Sequence, residues 1–125
     1  MEKRKVFVFG NLLLEKDSLA IAAAVRLKNR LEGIEFVAVQ SLDEVEEKGE
    51  LWIMDVAEGI ERVELIEEIE MLQTGQPVSG HDFDLAMELK LLKKMRRLGK
   101  VKIIAIPVGY DLGKAVKEVE GILSS

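Results

Sequence analysis

Short apolar runs alternate along this chain with stretches whose apolar residues recur at helical spacing. "RKVFVFG" (4–10), "IEFVAV" (34–39), "ELWIMDV" (50–56) and "VKIIAIP" (101–107) are rich in β-branched and aromatic residues and flanked by glycine or charge, which predicts strands. The third and the last are almost continuously apolar, as parallel strands covered on both faces are. From Asp17 the chain becomes alanine-rich. Ile21, Ala24, Val25, Lys28 and Leu31 fall on helical spacing, Asp17 or Ser18 stands where the first N–H groups need an acceptor, and Gly33 ends the helix. "SLDE" (41–44) is a capping box that opens a short helix stopped by Gly49. Leu85, Leu89, Leu92 and Met95 share one face of a helix predicted over 84–98, closed by Gly99. Leu112, Ala115, Val116, Val119, Ile122 and Leu123 do the same over 112–123.

Strands that alternate with helices imply right-handed crossovers. The pattern predicts a three-layer α/β/α sandwich on a mostly parallel sheet of about five strands, in one domain spanning 1–125. One segment reads two ways. "ERVELIEEIEML" (61–72) is built of helix formers, yet Val63, Leu65 and Ile69 partly follow the alternation of a strand.

Composition narrows the function classes. The 125 residues are 48% hydrophobic, enough for a single core, and carry a formal net charge of −5. That balance argues against a nucleic-acid partner, since phosphate binding requires clustered cations that acids would repel. The one basic cluster, "KLLKKMRR" (90–97), alternates with leucines and reads as the outer face of a helix. The absence of cysteine removes disulfides, thiolate nucleophiles and Cys-based metal sites together. "KVFVFG" is too short and strand-like for a signal peptide, and no apolar run approaches a membrane span, so a cytoplasmic protein without membrane insertion is expected.

In open α/β sheets ligands bind beyond the carboxyl ends of the strands, so the informative polar residues are those just after each strand. After the first come Gly10, Asn11, Glu15 and Asp17; the third ends in Asp55; His81, the one histidine, precedes the long third helix. An apolar strand that ends in a carboxylate must expose that group or give it a partner. Asp17, Asp55 and His81 together form an N,O donor set suited to zinc, nickel, manganese or iron(II). The plainer alternatives are Asp17 as a helix cap, Asp55 as an acceptor for loop N–H groups and His81 as a solvated residue before a helix.

Two other readings fail on missing partners. A receiver domain with Asp55 as phospho-acceptor needs an acidic pair ending the first strand and a lysine ending the last, but these strands end "FGN" and "AIPVG". A dinucleotide site needs three glycines where "GNLLLEKDSLA" has one. Ser79, two residues from His81, has no placed orienter to make it a nucleophile.

"FGNLLLEKDSLAIAAAVRL", "LWIMDVAEG" and "GHDFDLAMELKLL", in that order, resemble the hydrogenase maturation proteases, which trim the C-terminal extension from the large-subunit precursor of [NiFe] hydrogenases. The resemblance runs from the first strand to about residue 107. It implies a metal-recognising endopeptidase with no intrinsic cofactor. Asp17, Asp55 and His81 would engage nickel already in the substrate, or zinc or another divalent ion in the same site, with Asn11 positioning the substrate. It implies a strand over roughly 62–67. The chain departs from the family pattern in having Lys16 in place of an acid, Ser18 and Ala20 in place of glycines, and "VAEGIERVELIEE" in place of a Gly/Pro-rich loop. Those departures keep two further readings open: a non-catalytic relative that binds a hydrogenase subunit or a metal, and an unrelated α/β small-ligand module.

Overall fold

The computed structural model describes residues 4–10, 18–39, 50–67 and 101–124. Within them the chain forms β1 (Arg4–Phe9), α1 (Leu19–Lys28), β2 (Ile34–Val39), β3 (Leu51–Ala57), β4 (Glu64–Ile66), β5 (Val101–Pro107) and α2 (Leu112–Leu123). The helices expected after Ser41 and over 84–98 lie outside the described residues.

The strands make one sheet in the order β2-β1-β3-β5-β4. β1 is parallel to β2 and to β3, and β3 is parallel to β5. Among the described strands only β4 runs antiparallel, at the edge beside β5. The strand expected near 62–67 is therefore real but shorter, three residues long. Its helix-forming composition yields because Glu64, Leu65 and Ile66 find ladder partners in Ala105, Ile104 and Ile103.

Alternation along the strands sorts the core into two faces. Val6, Val8, Trp52, Met54, Ile104 and Ile106 point to the side on which α1 and α2 both pack. Phe7, Phe9, Leu51, Ile53, Ile103 and Ala105 point to the other side and are buried as well. Both faces are thus withdrawn from water, as the apolar β3 and β5 require. Complete burial of residues such as Ile103 and Ile104 contributes about 1.5–3 kcal/mol each.

α1 seats on the sheet by a stripe of small residues, Ala20, Ala23, Ala24 and Leu27, at i, i+3, i+4 and i+7. This corrects the face expected from sequence, which included Val25 and Lys28: Val25 is 62% exposed and Lys28 is exposed too. Alanine lets the helix axis come close to the sheet, and the bulkier valine turns outward. α2 follows its expected pattern. Asp111 caps it by accepting the Lys114 N–H at 2.9 Å, and Ala115, Val116, Val119 and Leu123 are buried. Arg30, just beyond α1, holds the Glu120 carboxylate of α2 through two bonds of 2.5 and 3.2 Å. Gly33 adopts φ 79°, open to glycine at little cost, and its carbonyl accepts the Arg4 N–H at 2.9 Å to start the β1–β2 ladder.

Candidate active site

Parallel strands bring their carboxyl ends to one edge, and β1, β3 and β5 all finish there. β1 gives way to Gly10, and Ser18 stands at the N-cap of α1. Asp55 lies in the last turn of the pleat of β3, the central strand of the sheet. It is half-buried, and its Oδ1 accepts the Val56 N–H at 2.8 Å, one residue past the last β1–β3 pair, Val8 with Met54. The carboxylate is therefore oriented where the ladder with β1 has run out. This bond is made to the next residue of β3, not to the loop N–H groups of the plainer reading.

Asp55 shares the parity of Leu51 and Ile53, so it projects to the sheet face opposite α1 and α2. In register beside it stands Ala105, and beside Ala105 stands Glu64 of β4. Two carboxylates thus lie in one row on one face, with only a methyl group between them. At strand spacing their Cα atoms are roughly 9–10 Å apart. One Glu64 oxygen, Oε2, is shielded from solvent. Sequence reasoning passed over Glu64, because a glutamate among the acids of "ERVELIEE" looks like a solvated face; the signal was its alternation with Val63 and Leu65 once a strand was assumed.

The exits of β3 and β5 are tied together. Val108 donates its N–H to the Ala57 carbonyl at 3.2 Å, and the chain then turns through Gly109, at φ 72°, with Tyr110 N–H on the Pro107 carbonyl at 3.2 Å. The Tyr110 hydroxyl donates to Glu118 Oε2 at 2.6 Å, and Lys114 lies 5.5 Å from the ring centroid. The bond to Glu118 foremost, with burial behind it, holds the phenol above its ordinary pKa of 10.0, so it remains protonated through the neutral range.

Of the residues singled out from sequence, Asp55 lies near the carboxyl edge, but it does not end β3, which runs two residues further to Ala57. Asp17, Asn11 and His81 lie outside the described residues. Among the described residues no three His, Cys, Asp or Glu side chains gather as an ion would require, and no helix is long and apolar enough to cross a membrane.

No family model and no curated protein matches the sequence. Solved structures do match. The [NiFe] hydrogenase maturation protease HycI from Thermococcus kodakarensis superposes with a TM-score of 0.62 at 18% identity, over 98% of this chain and 92% of that one. The hydrogenase maturating endopeptidase HybD from E. coli gives 0.61 at 14% identity, over 97% and 92%. The E. coli endopeptidase HycI gives 0.61 at 16% identity, over 94% and 87%. Nearly the whole of each chain is shared, from the first strand to the last helix: this protein has the α/β fold of the hydrogenase maturation endopeptidases.

Proposed function

We propose that the protein is a metal-recognising endopeptidase that removes the C-terminal extension from a [NiFe] hydrogenase large-subunit precursor. The observation that carries the reading is Asp55: a half-buried carboxylate two residues before the end of the central strand, near the edge where open α/β sheets bind ligands, in the position that the sequence resemblance assigns to a ligand. Asp17, one residue before the N-cap of α1, and His81 are the other two groups of the set. Asn11, one residue past Gly10, serves as the polarising or positioning amide. In this reading the ion is the nickel of the substrate subunit. Capture of that ion by two carboxylates and an imidazole restricts cleavage to precursors already loaded.

A second reading, a relative that binds the subunit or a metal without cutting, is favoured by one observation. Ala20, where the family has glycine, is fully buried in the contact between α1 and the sheet, so the helix entrance is built around a side chain that the family pattern lacks there.

The experiment is incubation of the purified protein with nickel-loaded and nickel-free precursor, read by mass spectrometry of the released extension. Cleavage of the loaded form only, lost in Asp55→Asn and His81→Ala, supports the protease. Metal binding by the wild-type protein with no cleavage of either precursor supports the binder. Full cleavage by both variants removes the proposed set from the chemistry.

A further inference from the structure

β2 ends the sheet on the side away from β4, and among the described residues no strand pairs with its outer side. Which backbone groups face outward follows from the register. Arg4 pairs with Ile34 and donates its N–H to the Gly33 carbonyl, so residues 33, 35, 37 and 39 direct their N–H and C=O groups toward β1. Those of Ile34, Phe36 and Ala38 point the other way. Natural edge strands are blunted by lysine, proline, a bulge or shortness. "IEFVAV" has none of these: it is six residues long, paired with β1 at every position without a bulge, and charged only at Glu35. Ala38 is exposed, and because its side chain is a single methyl, that exposure bares the backbone of the edge.

We infer that this edge pairs antiparallel with the β2 of a second copy, about a two-fold axis at Phe36. A two-fold normal to the sheet puts residues of equal parity opposite one another. With Phe36 on the axis, Phe36 faces Phe36, Ile34 faces Ala38, and Glu35 faces Val37. The three outward-bonding residues then form hydrogen-bonded pairs with one another, each pair exchanging two bonds. The charges agree with this register: Glu35 meets a valine and not its own copy, so no like charges stand opposite. Ile34 and Phe36 already pack on the core from the α1 face, and across the axis they extend that apolar surface into the partner with an aromatic pair at its centre. The arrangement closes on itself and consumes the edge, which an open stack would not. It stands apart from the endopeptidase reading, because Asp55 lies at the sheet's centre and takes no part in it.

Sedimentation of the full chain across a concentration series tests the pairing. The mass is expected to rise from 14.0 kDa toward about twice that value. Ala38→Pro removes an outward N–H without touching the β1 ladder and is expected to hold the protein at the monomer mass with an unchanged circular dichroism spectrum. Hydrogen exchange in the wild-type protein gives a reading that needs no variant: the amides of Ile34, Phe36 and Ala38 gain about tenfold protection from dilute to concentrated solution, while those of Glu35 and Val37 do not change. A monomer at concentrations on the order of millimolar overturns the inference. So does a dimer that survives Ala38→Pro, or one lost in Val25→Ser instead, which would move the interface to the exposed face of α1.

Discussion

The two edges of the sheet are built on opposite principles. At the amino edge, Lys102 of β5 extends between Glu50 and Glu67, 3.8 and 3.7 Å away, and lies 4.8 Å from the centroid of Trp52. Arg4 of β1 approaches the same ring at 5.3 Å, and the indole N–H donates to Glu50. Cations, carboxylates and the one tryptophan are mutually engaged, so this edge ties the ends of β1, β3, β4 and β5 together. At the carboxyl edge, the carboxylate of Asp55 is oriented by a backbone N–H, and Glu64 stands two strands further along the same row. A charge set among opposite charges stabilises; a half-buried carboxylate that takes a backbone N–H where the β1 ladder has run out is oriented. The contrast assigns stability to one edge, and the proposed function assigns chemistry to the other.

The largest expected effect separates them outright. Asp55→Asn keeps the shape of the side chain and its bond from Val56, so melting temperature should change little. Cleavage of nickel-loaded precursor should fall on the order of 100-fold or more, because a ligand charge worth several kcal/mol is gone. Loss of stability with cleavage intact would reverse the assignment of the edges. Lys102→Met is the mirror experiment. It leaves two glutamates without their shared cation while keeping an unbranched stem over Trp52, and should lower stability by about 1 kcal/mol with cleavage unchanged. Chemical denaturation monitored by Trp52 fluorescence measures it directly, since this is the one tryptophan of the chain.

A cap at the carboxyl edge tests whether that edge tolerates local loosening. Asp111→Ala removes the acceptor of the Lys114 N–H and should cost about 1 kcal/mol, seen as a lower denaturation midpoint with an unchanged slope. The smallest effect belongs to neither edge. The hydrogen bond from Arg30 foremost, with its charge, holds the Glu120 carboxylate below its ordinary pKa of 4.5. A group whose pKa is depressed by folding stabilises above its unfolded value and loses that contribution as pH falls through the folded one. The α1–α2 tie should therefore weaken only below about pH 4.5, and Arg30→Gln should flatten the acid limb of the stability curve and leave neutral pH nearly untouched.

Much of the frame is legible in the chain because burial leaves a mark on composition. β2 and β5 have the limits expected from their apolar runs, β1 stops one residue short, and β3 is shifted by one residue at each end. α2 is legible because Val116, Val119 and Leu123 mark its buried face while Lys114 and Lys117 mark the exposed one. α1 misled for the converse reason: its contact with the sheet is made by alanines, whose small hydrophobicity gives a weak stripe, so Val25 drew the eye although it faces water. β4 was undecidable from periodicity, since a strand of three residues owes its state to pairing with β5. In the candidate site, Asp55 is marked in sequence as the carboxylate that closes the apolar run "LWIM". Glu64 did not, because what marks it is a neighbour across β5 and not a neighbour in sequence.

The register of β3 on β5 has a consequence for how the molecule assembles. Leu51 pairs with Val101, fifty positions later, whereas Arg4 pairs with Ile34 at thirty. Closing the longer interval costs little more at equilibrium, since each doubling of a loop adds only about 0.6 kcal/mol. In time the difference is larger, because non-local parallel pairing must close its loop before any contact repays it. The strand that carries Asp55 gains its second parallel neighbour only when β5 arrives, so the carboxyl edge is among the last parts of the fold to take shape, and a chain stalled before that step would have β1 and β2 joined with Asp55 not yet in its place.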